Sequence, residues 1–179
     1  IKKGSSCILA YWHTLFSSPA NNLSMGKWGI KEVRWGKKHV EYLKWLFPKA
    51  KFIYLFRNPL DAYASYYHYP RSAFLHWPNE PILTARDYAT MWLKLVGEFT
   101  TLEKEGIGIT LRYEDLKNTG TQHKIEKYIG GTINNPSKLE KIVRPGEANK
   151  KGDLKTNNYL PKIERLLLKI FLRNRANKY

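Results

Sequence analysis

The residues best suited to chemistry lie together in Arg57-Asn58-Pro59-Leu60-Asp61-Ala62-Tyr63-Ala64-Ser65. They follow Lys51 to Arg57 (KFIYLFR), a continuous apolar run of the kind that forms parallel strands covered on both faces. An arginine ending such a strand stands at the edge where α/β sheets bind ligands. Its guanidinium can grip a phosphate through two parallel hydrogen bonds. Asn58 suits an N-cap, Pro59 the first helical position and Asp61 the first turn, so a helix should begin here. A helix start brings free backbone N–H groups and partial positive charge beside the arginine. Ser65, about two turns along, can offer its hydroxyl to the same anion. The bare pattern also fits a turn capped for stability, with Arg57 paired to a carboxylate. Both readings stay open on these residues alone.

Other elements must position this segment. Trp28 to Arg34 (WGIKEVR) and Ile107 to Tyr113 (IGITLRY) are further strand candidates. Lys37 to Leu46 carries Val40, Leu43 and Leu46 at helical spacing and is stopped by Pro48. Cys7 to Phe16 and Asn58 to Tyr69 read as helices. So do Thr84 to Glu105, with Tyr88, Met91, Trp92, Leu95 and Phe99 on one face, and a basic segment from Leu160 to Arg173. Strands alternating with helices predict a parallel sheet with helices on both faces. Three strands are few for such a sheet, so others are missed or precede residue 1. The loop from Pro70 to Pro81 is irregular and aromatic, suited to a lid or an acceptor wall.

The length, 179 residues, accommodates one domain with a sizeable core, and 42% hydrophobic with 14% aromatic content argues against disorder. A net charge of +16 calls for an anionic partner: nucleic acid, a membrane surface, an acidic polysaccharide or a phosphorylated cofactor. The single cysteine, Cys7, rules out an intrachain disulfide and leans towards a reducing, cytoplasmic setting, though the compartment stays open. No apolar run reaches the length of a membrane span. No G-x-x-x-x-G-K-[ST] occurs, and the five histidines lack metal-binding spacing, so no metal is expected.

Phe47 to Tyr69 (FPKAKFIYLFRNPLDAYASYYHY) closely resembles the 3′-phosphate-binding region of the sulfotransferases. In that family a strand runs into Arg-Asn/Asp-Pro-x-Asp-x-x-x-Ser, and the Arg and Ser hold the nucleotide's 3′-phosphate. The resemblance carries these roles to Arg57 and Ser65. Leu111 to Leu116 (LRYEDL) resembles a second family segment, whose Tyr lies near the adenine ring; Tyr113 would take that place. Trp28 to Arg34 stands where the family places a lysine, sometimes with a base after it. The resemblance then implies that Lys31 stabilises the leaving phosphate and that Glu32 acts as general base. The cytosolic branch has Lys-Thr-His here, whereas this chain has Lys31-Glu32-Val33. On a strand, adjacent side chains point to opposite faces, so Lys31 and Glu32 share a site only at a bulge or strand end. A structural salt bridge is the other reading of Glu32. Lys150 to Lys155 (KKGDLK) is similar to a shortened, Trp-less form of the segment that folds over the 3′-phosphate, implying contacts from Lys151 and Gly152.

The resemblance implies a single sulfotransferase domain over residues 1–179: three α/β/α layers on a central parallel sheet, like that of the P-loop nucleoside triphosphatases. It implies 3′-phosphoadenosine 5′-phosphosulfate (PAPS) as sulfuryl donor, and a hydroxyl or amine acceptor. The acceptor class stays open between acidic carbohydrate, peptide, lipid and small alcohol, as does the oligomeric state. The family's 5′-phosphosulfate loop has a faint counterpart in Lys2-Lys3-Gly4-Ser5-Ser6, which lacks the loop's proline. The alternative places the true loop before Ile1 and makes Lys2 to Ser6 a helix lead-in. The rival from another class is a non-catalytic basic module that binds nucleic acid or acidic polysaccharide. It leaves the ordered strand-to-helix motif unexplained, and no specific nucleic acid is expected as partner.

Overall fold

The computed structural model describes residues 3–33, 35–67, 82–135 and 161–176. The chain divides into two compact units, Ile1–Ala50 and Lys51–Tyr179.

In the first unit, α1 (Lys3–Trp12) continues through a π-helical turn (His13–Ser17) into α2 (Ser18–Asn22), and α3 spans Lys37–Leu46. Residues 3–6, compared above with a phosphate loop, form the first turn of α1. Aromatic packing organises the unit. Trp28 stacks on Phe16 with centroids 4.9 Å apart, Phe47 meets Trp28 edge-on at 5.8 Å, and the Trp28 indole N–H donates to Ser17 Oγ at 2.9 Å.

The strand expected from Trp28 to Arg34 does not form: residues 28–33 are irregular. A strand must hand its backbone N–H and C=O groups to a neighbour, and among the described residues only β1 and β2 pair. Ile30 and Val33 gain no covered face either, being 38% and 56% exposed. The expected opposition of Lys31 and Glu32 across a pleat therefore lapses.

In the second unit, β1 (Ile53–Phe56) and β2 (Ile109–Arg112) pair in parallel, with Ile53 opposite Ile109 and Phe56 opposite Arg112. Between them in sequence lie α4 (Pro59–Tyr67) and α5 (Ala85–Lys104). A 3-10 turn (Tyr113–Lys117), α6 (Thr119–Ile129) and α7 (Lys162–Ala176) follow. The fold is α/β. Among the described residues one face of β1 is covered: Tyr54 is buried and stacks on Phe99 of α5 at 4.8 Å, while Ile53 and Leu55 stay over 40% exposed. The apolar run was expected to be buried on both faces; among the described residues α5 covers one.

The core joins α4, α5 and α7. Tyr63, Ala64, Ala85, Tyr88, Ala89 and Leu168 are buried together. The Tyr63 hydroxyl donates to Glu164 of α7 at 2.8 Å, and that of Tyr66 to the Ile82 carbonyl. No helix among the described residues is long and apolar enough to cross a membrane.

The start of α5 makes a reciprocal cap. Thr84 Oγ1 accepts from the Asp87 N–H at 3.2 Å, and Asp87 Oδ2 accepts from the Thr84 N–H at 3.0 Å. Partial burial pushes the Asp87 carboxyl up. Hydrogen bonds from Thr84 and Leu83, with the nearby Arg86 charge, outweigh that and hold it below its ordinary value. A carboxyl lowered by folding adds stability above its unfolded pKa, and the gain disappears as pH falls through the folded value. Thr84→Ala should therefore destabilise the chain by about 1 kcal/mol at neutral pH. Urea melts should show a smaller difference below about pH 3; a pH-independent difference would refute the cap.

Candidate functional site

Register builds the site. Phe56 pairs with Arg112, so the next residues, Arg57 and Tyr113, leave the carboxyl edge of the sheet side by side. The Arg57 guanidinium lies over the Tyr113 ring, 5.0 Å from its centroid. This contact fixes a flexible cation above a flat aromatic face. No carboxylate among the described residues forms an ion pair with Arg57. Among the described residues, then, Arg57 is not held as the carboxylate-paired residue of a structural turn.

Two residues outside the motif hold the turn. The Trp92 indole of α5 donates to the Arg57 carbonyl at 3.1 Å, and its ring meets Phe56 edge-on at 6.2 Å. Glu114, just after β2, accepts the Asn58 N–H at 2.6 Å and lies 3.8 Å from Arg112 Nε. Asn58 acts as the expected cap: its side-chain oxygen accepts from the Leu60 N–H, and its carbonyl from the Ala62 N–H, both at 2.9 Å.

These bonds correct one expectation. The Asn58 and Leu60 N–H groups are already engaged, and Pro59 has none, so this helix start does not offer them to an anion. Attraction at the turn comes chiefly from the fixed charge of Arg57. That charge also reaches the buried Tyr88 phenol: burial raises the Tyr88 pKa, Arg57 opposes the rise, and Tyr66 adds to it.

Ser65 is half-buried on α4. At about 100° per residue it shares a helix face with Asn58 and Asp61, turned away from buried Tyr63. It lies about 10 Å along the axis from Asn58. Lys31 is exposed and Glu32 half-buried, both in the irregular stretch of the first unit; Glu32 Oε1 accepts the Val33 N–H at 2.9 Å. Lys151, Gly152, His68 and the loop from Pro70 to Pro81 lie outside the described residues. The structure thus brings Arg57 and Tyr113 together, with Ser65 further along the adjoining helix.

A groove of about 280 Å³ opens beside β2 and includes Phe56, Arg112, Asp115, Glu103 and Lys124. Burial pulls the Glu103 carboxyl up, but the neighbouring polar groups of Thr110 and the Lys124 ammonium, 3.4 Å away, hold it below the usual range. Nothing in sequence spacing singled out Glu103 or Lys124, and spacing placed Trp92 only on the apolar face of its helix; all three meet these partners through the fold. Glu114 did stand within the LRYEDL segment.

No curated protein and no solved structure matches the chain. The sulfotransferase domain model matches residues 32–174, which takes in Glu32, Arg57, Ser65, Tyr113, Lys151 and Gly152 and begins one residue after Lys31. With well over half its length matched, and the strand-to-helix turn at Arg57 inside the match, the chain belongs to the sulfotransferase family.

Proposed function

We propose that the chain takes a sulfuryl group from PAPS and passes it to a hydroxyl or amine acceptor by in-line displacement. One observation carries this proposal: an arginine without a carboxylate partner among the described residues lies over a tyrosine ring at the carboxyl edge of a parallel strand pair. A cation and an aromatic face side by side suit a ribose phosphate and a purine. Arg57 would grip the 3′-phosphate, Ser65 would add a hydroxyl, and Tyr113 would face the adenine. Lys151 and Gly152 would close over the same phosphate.

The donor supplies an activated sulfuryl group: its sulfur–oxygen bond to phosphate breaks as a new bond to the acceptor forms, leaving adenosine 3′,5′-bisphosphate. Lys31 would balance negative charge growing on the departing phosphate oxygen. Glu32 would take the acceptor's proton. Fixed positive charge and alignment supply the rate, so no metal is needed. A single three-layer α/β/α domain of the P-loop-like kind is the fold proposed to hold these parts.

Titration separates this function from generic polyanion binding, which a net charge of +16 also favours. Adenosine 3′,5′-bisphosphate should saturate at one molecule per chain, with affinity changing only modestly between 50 and 200 mM salt, whereas single-stranded RNA binding should fade steeply. If the bisphosphate fails to saturate while RNA binds, the chain is the basic module instead.

A further inference from the structure

α7 has more apolar surface than its packing uses. Leu168, fully buried, and the partly buried Phe171 and Leu172 join the core, and Glu164, the helix's sole acidic residue, turns inward onto the Tyr63 hydroxyl. On the roughly opposite side, Ile163, Leu166, Leu167 and Ile170 form a second stripe at i, i+3, i+4, i+7 spacing. These four are 67%, 57%, 37% and 45% exposed. Exposed Lys162, Lys169 and Arg173 line one border of the stripe, and a groove of about 380 Å³ runs there between Lys162, Arg165, Leu166 and Lys169. A helix that only covers a core needs one apolar face.

We infer that this outer face of α7 docks the chain on an anionic phospholipid surface. Two features of the stripe choose this occupant. It is purely aliphatic, with none of the Trp or Tyr anchors that dominate protein–protein contacts. It is also bordered by cations with no exposed acid on the helix, the arrangement of a helix lying in a lipid interface with its charges at headgroup level. A second copy of the chain is a poor fit, because pairing would bring together two molecules of net charge +16. The lipid phosphates would lie against Lys162, Lys169 and Arg173 while the four aliphatic side chains enter the acyl boundary. The inference does not depend on the sulfuryl-transfer proposal.

Flotation with vesicles tests it. The chain should bind phosphatidylcholine vesicles containing 30% phosphatidylserine at least about tenfold more tightly than pure phosphatidylcholine vesicles. The double variant L166Q/I170Q, altered only at exposed positions, should weaken that binding by at least about tenfold while its circular dichroism and melting stay unchanged. K162Q/K169Q should remove the preference for phosphatidylserine. Absence of vesicle binding overturns the inference. So does binding that L166Q/I170Q leaves intact, which is adsorption by charge alone. Self-association abolished by L166Q/I170Q, without vesicle binding, assigns the face to contact between copies and also overturns it.

Discussion

Arg57→Ala should weaken binding of adenosine 3′,5′-bisphosphate by about 30- to 150-fold while changing AMP binding less than about threefold. The two ligands differ only in the 3′-phosphate, so their ratio isolates the proposed contact from any general disturbance. Losing a bidentate hydrogen-bonded ion contact costs about 2–3 kcal/mol, which corresponds to that factor. Arg57→Lys should fall between, since it keeps the charge and loses the planar fork. The fold should tolerate the change. Trp92 and Glu114 hold the turn through the Arg57 carbonyl and the Asn58 N–H, backbone groups the substitution leaves in place. The lost contact with Tyr113 costs about 0.5–1 kcal/mol at a partly exposed site. Isothermal titration of both ligands gives the ratio. Equal weakening of AMP and the bisphosphate would remove Arg57 from the 3′-phosphate site.

Local signals proved legible where they act within one turn of chain. Asn58 and Pro59 start α4, and Pro48 stands just past the end of α3. Each works through neighbours in sequence, so spacing sufficed. The run from Lys51 gave β1, and IGITLRY gave β2 four residues long. The stretch from Trp28 to Arg34 failed because its apolar residues promise a strand while its partner strand, which decides the matter, cannot be read from it. Trp28 instead went to an aromatic stack. At the site, residue types marked the turn at Arg57 but not how that turn is held. Glu114 lies 56 positions from Asn58 and Trp92 lies 35 from Arg57, so only the paired strands and the packed α5 bring them together. The Glu114 bond also takes up the Asn58 N–H, a donor that the helix start alone would leave free.

A substitution at the far end of β2 from Arg57 and Tyr113 should damage their site nearly as much as Arg57→Ala. Gly108 precedes β2 with φ +93°, and a Cβ there would lie 2.5 Å from Cε2 of Tyr54 and 2.9 Å from the Phe52 carbonyl oxygen. That carbonyl accepts the Ile109 N–H at 3.0 Å, the bond that leads into the strand pair, and the Tyr54 hydroxyl donates to the Ile107 carbonyl at 2.8 Å. A methyl group must therefore displace backbone at the point that sets the register, as well as strain φ. Gly106, φ +75° with open space around its Cβ position, offers the control. Gly106→Ala should cost about 1 kcal/mol through backbone conformation alone, and Gly108→Ala about 3 kcal/mol or more once overpacking is added. Both follow from urea denaturation. Gly108→Ala should also lower bisphosphate affinity in whatever fraction stays folded, because the position of Tyr113 beside Arg57 depends on that register. Equal destabilisation by the two substitutions would mean that β1 does not approach Gly108 closely, and the strand pairing that places Arg57 over Tyr113 would fall with it.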